Sequence, residues 1–176
     1  FAADASGLTP SILRNFSAPV TIDDDLSRDE RRHIMRYDTD LFNRWDSAHT
    51  LISNEILTAA ANPLVPVDDY AIAALADGFG HILADPSCLD YFKAAILTLP
   101  AISVLESRMT PADPVALFHA RLAVETALGQ HMQDHYMQAL DPQTSAKLAA
   151  TAGGRALRNR LLVLAVAAGD EAADNA

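Results

Sequence analysis

The chain has 176 residues, half of them hydrophobic, with thirteen Lys and Arg against twenty-three Asp and Glu, for a formal charge of -10. That balance excludes nucleic acid as a partner, because a phosphate backbone demands a basic surface, and the length suits one domain, or one domain and a fragment, with a sizeable core. A single cysteine, Cys88, excludes an internal disulfide and fits a reducing, cytoplasmic setting, while the longest apolar run, Leu161 to Ala168, falls far short of the ~20 residues needed to span a membrane.

The chain begins at Phe1 without a methionine, so a targeting signal could have stood upstream of it. After a loose lead-in, residues 11–22 read as an extended segment with Ile12, Arg14 and Phe16 on one face. Pro19 cannot donate to a sheet ladder, so this is an edge strand or a strand end. It has no partner strand downstream, which hints that something N-terminal to it is missing.

Ser27 and Glu30 fit a capping box opening a short helix to about Arg36. Residues 38–57 carry the only tryptophan and a helical period that places Leu41, Trp45, Ala48, Ile52 and Ile56 on one stripe and Asn43, Asp46, Thr50 and Asn54 on another. Asp40 precedes Arg44 by four residues, the favourable order for an exposed pair contributing about 0.2–0.5 kcal/mol. A buried Trp45 would make Trp45→Ala cost roughly 3–5 kcal/mol. Pro63 and Pro66 break the helix, and a new one is predicted over 67–84, where Gly78 and Gly80 weaken it or mark close packing.

Asp85-Pro86-Ser87 reads as the start of another helix with Leu89, Phe92 and Ile96 as its apolar positions, followed by a brief helix over 101–109. Asp113-Pro114 and Asp141-Pro142 repeat one start signal, an acidic N-cap with proline at the first helical position. The first opens a long helix to about Leu140 and the second a short one to about Ala150. Gly153-Gly154 separates the latter from a helix over 155–168 that stops at Gly169. Eight or nine helices without a repeat of constant length predict a mainly α chain: an irregular stack of antiparallel helix pairs of the α-solenoid type, with a short N-terminal β segment.

Candidate chemistry is sparse. His131 and His135 have the i, i+4 spacing of a zinc-peptidase helix, but Met132 stands where the general-base glutamate of HExxH belongs. The bland alternative places both on an extension of the Val124–Leu128 stripe. Residues 23–25, all aspartate, lack the glycine and terminal glutamate of a calcium loop and read as a solvated turn favouring the first helix N-terminus. No motif joins Cys88 to a base, so it reads as a small core residue. Arg155, Arg158 and Arg160 spread around their helix rather than line a face. The residues therefore nominate no catalytic, cofactor-binding or metal site.

The wording of several segments is more informative than their spacing. Thr9-Pro-Ser-Ile-Leu-Arg-Asn-Phe-Ser-Ala-Pro-Val20, Asn43-Arg-Trp-Asp-Ser-Ala48, Ala95-Ile-Leu-Thr-Leu-Pro100 with Asp113-Pro114, and Gly154-Arg-Ala-Leu-Arg-Asn159 resemble, in order, the carboxy-terminal half of the bacterial aminopeptidase N family, zinc aminopeptidases of the gluzincin class. The resemblance implies residues 1–25 as the end of a β-domain with its linker, and residues 26–176 as the first part of a helical domain that walls the active-site chamber. In that family an HExxH motif with a downstream glutamate holds zinc and a Gly-x-Met-Glu-Asn segment binds the substrate's amino terminus. This sequence has neither, so the zinc, and the removal of N-terminal residues from peptides, belong to a parent polypeptide. Partners are then the catalytic and β-domains of that polypeptide and its peptide substrates, without nucleic acid or membrane. The chain alone should be inactive and expose apolar faces. The alternative is an independent helical scaffold that binds peptides or proteins.

Overall fold

The computed structural model describes residues 9–12, 14 and 24–170, and the described residues form nine helices and no strand. Helix α1 (Arg28–Tyr37) starts on a complete capping box: the Glu30 amide donates to Ser27 Oγ at 3.3 Å, and the Ser27 amide donates to Glu30 Oε2 at 2.8 Å. Helix α2 (Leu41–Ala61) is capped by Asp40 and ends just before Pro63. Helix α3 (Asp69–Ala84) is capped by Asp68, and α4 (Asp90–Leu97) and α5 (Ile102–Glu106) follow without side-chain caps. Asp113 caps α6 (Pro114–His131), which is followed by α7 (Gln133–Leu140). Asp141 caps α8 (Pro142–Ala149), Thr151 caps α9 (Ala152–Ala167), and Gly169 at φ 77° leads the chain away from α9. Each aspartate or threonine cap satisfies amides that the first turn leaves without partners.

The long helices form the spine. α1 lies on α2, α2 on α6 and α6 on α9, while α3 packs against α6 and α4, α7 and α8 against α9. Ile52, Ile56, Ile72, Phe79, Ile82, Leu117, Val124, Leu128 and Leu164 fill the space between them. Tyr136 is buried and donates its hydroxyl to Asp170 Oδ2 at 3.1 Å; burial, then Asp170, push its ionisation up to about 12. This is the expected α-helical stack.

Several expectations need correction. The buried face of α2 is turned from Trp45 toward Arg44: Leu41 is exposed and Trp45 half-buried, while Arg44, Ser47, Leu51 and Glu55 are buried beside Ala48, Ile52 and Ile56. Asp40 and Arg44 are both buried rather than an exposed pair, because Arg44 reaches across to α3 and α4. Trp45 instead forms an aromatic row with Phe42 and His49, at centroid distances of 6.0 and 4.2 Å. Asp85 opens no helix. Its amide closes α3 and its carboxylate accepts from Ser87, so α4 begins only at Asp90 and leaves Leu89 exposed.

The single long helix expected over 113–140 is two, because Met132 adopts φ -101°, ψ 14° and its amide turns to the carbonyls of Leu128 and Gly129. Gly153 and Gly154 do not separate helices. Both are buried inside the first turn of α9, where a Cβ on Gly154 would lie 2.1 Å from the Leu148 carbonyl oxygen. Only a residue without a side chain allows α8 to approach so closely. The expected edge strand falls mostly on residues outside the described set; of it, Ser11, Ile12 and Arg14 are described, and residues 9–12 have no regular structure.

Candidate functional site

The break at Met132 separates the two histidines that the sequence places on one helical face. His131 Nε2 lies 2.8 Å from Asp69 Oδ1 at the start of α3. His135 packs its ring on Gly80 so closely that a Cβ there would stand 2.6 Å from Nε2. Each imidazole is thus committed to a different turn of α3. Among the described residues no three His, Cys, Asp or Glu side chains are grouped to hold a metal ion. The donor set does not fit a zinc site of the HExxH kind, which needs two imidazoles on one uninterrupted face.

Cys88 is buried under Arg44, whose Nη1 lies 3.2 Å from the sulfur. Burial pushes the thiol upward, against the pull of the nearby guanidinium, so the thiolate that a nucleophile requires is disfavoured. The same Nη1 meets Asp85 Oδ2 at 3.0 Å, and Nε donates to the Met35 carbonyl at 3.0 Å. Ser87 first, then Arg44, hold the Asp85 carboxyl far below the usual range. Arg44 is therefore a tie between α1, α2 and the α3–α4 turn.

A second tie joins α6 and α9. Arg160 Nη1 meets Glu125 Oε1 at 2.7 Å, and its Nε donates to the Leu97 carbonyl at 2.8 Å. Arg121 Nε donates to the Pro100 carbonyl at 3.1 Å. Two arginines and one glutamate thus hold both ends of the turn 97–100. Arg155 and Arg158 serve locally, on the Ala149 carbonyl and Ser145 Oγ. Of the aspartate run, Asp23 lies outside the described residues, while Asp24 accepts from the Leu26 amide and from Arg31.

Perturbed ionisation, which sequence reading cannot supply, appears on α2. Burial pushes the Asp46 carboxyl up against the pull of Arg31, and burial lowers His49. Elsewhere the helices leave clefts open at the surface. One of these, about 820 Å³, lies between the turn 62–67 and the start of α6 and is walled by Leu64, Val65, Val115, Ala116 and His119. Leu64 is 97% exposed, and Val115, Phe118 and Leu122 continue an apolar ridge along α6. Another, about 400 Å³, lies among α3, α4, α7, α8 and α9 and includes Lys93, His135 and Leu161. The side chains of these clefts assemble no nucleophile with a base, and the sequence signal for them was only an apolar residue beside a proline.

A model of a domain of unknown function (DUF3458_C), described as ARM repeats, matches residues 28–176. Aminopeptidase N of Caulobacter vibrioides is 38% identical over 154 residues, covering 85% of this chain and 17% of that protein. Aminopeptidase N of Escherichia coli is 30% identical over 128 residues, covering 73% and 15%. The chain thus spans less than a fifth of the length of the curated relatives it matches. Among solved structures, Legionella pneumophila aminopeptidase A in complex with aspartic acid superposes with a TM-score of 0.72 at 21% identity, over 93% of this chain and 20% of that one, a likeness of fold.

Proposed function

From the premise that the chain belongs to the DUF3458_C family of ARM-repeat domains, we propose that it is the helical domain of an N-type aminopeptidase. The parent removes N-terminal residues from peptides with metal-activated water, and residues 26–176 supply part of the wall around its reaction chamber. Residues 1–25 close the β-domain before it. The 38% identity to an aminopeptidase N across 85% of the chain carries this reading. Zinc, on this proposal, is held by the parent's catalytic domain, since His131 and His135 are engaged by Asp69 and Gly80 and do not fit it. The chain's own contribution is mechanical: Arg44 and the Glu125–Arg160 pair keep the helices in register. The proposed setting is cytoplasmic, and the proposed partners are the catalytic and β-domains of the same polypeptide and peptide substrates.

The test is metal analysis together with an assay on chromogenic alanine and leucine substrates, applied to this chain and to the longer gene product. The longer product should hold one zinc and release the chromophore, and the chain alone should do neither. One tightly held zinc per isolated chain, or no aminopeptidase activity in the longer product, overturns the proposal. A second reading, an independent scaffold that binds peptides or proteins, draws on the 820 Å³ apolar cleft. It predicts a clean monomer binding little apolar dye, whereas a domain taken from a larger enzyme should self-associate through such faces.

A further inference from the structure

Ser11 and Arg14 are tied to the elbow between α1 and α2 by a compact set of side-chain hydrogen bonds. Arg14 Nη1 donates to Asp38 Oδ1 at 3.0 Å and to Ser11 Oγ at 2.7 Å, and Nη2 donates to Thr39 Oγ1 at 2.5 Å. Asn43 Nδ2, from the first turn of α2, donates to the same Ser11 oxygen at 2.9 Å. Asp38 also accepts from the Asp40 amide at 2.8 Å.

The elbow is shaped for this contact. The Asp38 side chain is only 4% exposed, and a buried carboxylate is costly unless it is paired and hydrogen-bonded. Its backbone donor comes from the elbow itself, but its cation comes from Arg14. One carboxylate, one hydroxyl and one amide, within residues 38–43, therefore meet one serine and one arginine three residues apart. A cleft of about 250 Å³, bordered by His33, Ile34 and Tyr37, remains between the segment and α1. The attachment thus depends on directional polar bonds more than on apolar close packing, and such bonds can open without disturbing the core.

We propose that Ser11 and Arg14 form a polar clasp, which grips Asp38, Thr39 and Asn43 and fixes the direction in which the chain enters the helical stack. On the aminopeptidase reading, on which only this consequence rests, that direction is the angle between the β-domain and the chamber wall.

Trypsin tests the clasp on the chain itself, because the Arg14 guanidinium can enter the protease only after it leaves Asp38 and Thr39. With fast reclosing, the cleavage rate tracks the open population. Asp38→Asn should raise cleavage after Arg14 roughly tenfold, as expected for loss of a charge-assisted bond. Asn43→Ala, which leaves the Asp38 charge in place, should raise it severalfold. Cleavage after Arg160, inside α9 and with its side chain only 10% exposed, read by mass in the same digest, reports general unfolding and should stay unchanged in Asn43→Ala. Equal Arg14 rates in the wild type and both variants overturn the clasp, and so does a parallel rise at Arg160 in both. A longer gene product without aminopeptidase activity sinks the enzyme reading and leaves the trypsin result standing, so the two failures are distinguishable.

Discussion

Arg44→Ala separates the surface reading of this residue from the structural one. As an exposed helical partner of Asp40 it would contribute about 0.2–0.5 kcal/mol. In the fold its side chain is 4% exposed, donates to the Met35 carbonyl and Asp85 at 3.0 Å each, and lies over Phe92 with 5.9 Å between guanidinium and ring centroid. Truncation leaves the Met35 carbonyl without that donor, removes the cation beside Asp85 and opens a cavity against Cys88. Breaking a buried pair from one side costs roughly 3–5 kcal/mol; Asp85 is partly exposed and keeps Ser87, so the lower half of that range applies. At about 2–4 °C per kcal/mol for a chain of this size, the melting temperature should fall by roughly 10 °C. Circular dichroism of thermal or urea unfolding measures this, and Arg44→Lys, which keeps the charge but cannot reproduce the fork, should fall between. A loss below about 0.5 kcal/mol for Arg44→Ala would refute the reasoning.

Two further outcomes follow from the α2 and α3 surfaces. Burial lowers His49 below its ordinary value, so the unfolded chain takes up the proton first: this contribution to stability is complete above pH ~6.5 and declines as pH falls from there toward the folded value. Because the ring stacks on the only tryptophan, Trp45 fluorescence should titrate with a midpoint below that of a free imidazole, and the titration should vanish in His49→Gln; a midpoint at or above the free value contradicts the burial argument. Gly80→Ala sets a Cβ 2.6 Å from His135 Nε2, so the imidazole must swing aside, and the gain should fall short of the ~1 kcal/mol that alanine brings to a helix interior. Unfolding measurements should find the full gain from Gly80→Ala when it is made in a His135→Ala background, and an equal effect in both backgrounds would show that the ring is not what fills the space.

Helix starts were legible wherever the signal is local. Ser27 with Glu30, Asp113-Pro114 and Asp141-Pro142 each put a side-chain oxygen within reach of amides two or three residues away, and each forms as written. Asp85-Pro86 carries the same letters and failed, because Ser87 and Arg44 compete for the carboxylate. Met132 gave no warning in the periodicity: the apolar stripe continues through it, although the chain turns there before α7 packs on α9. The candidate site was legible mainly as an absence of motif; the clefts arise between elements distant in sequence, such as the turn 62–67 and α6, and no local pattern encodes such a spacing.

What the amino-acid order determined by itself is therefore the helical class, the main caps, the proline breaks and, through the wording of a few segments, the family resemblance. Those depend on backbone chemistry within a turn or on shared ancestry. Tertiary structure alone decided that the buried face of α2 extends from the expected Ala48, Ile52 and Ile56 to Arg44, Ser47 and Glu55, that Arg44 rather than Trp45 ties the stack, and that His131 and His135 engage different turns of α3. A charged side chain can be buried only where distant partners arrive to satisfy it, and the partners of Arg44 come from Met35, Asp85 and Cys88 at once.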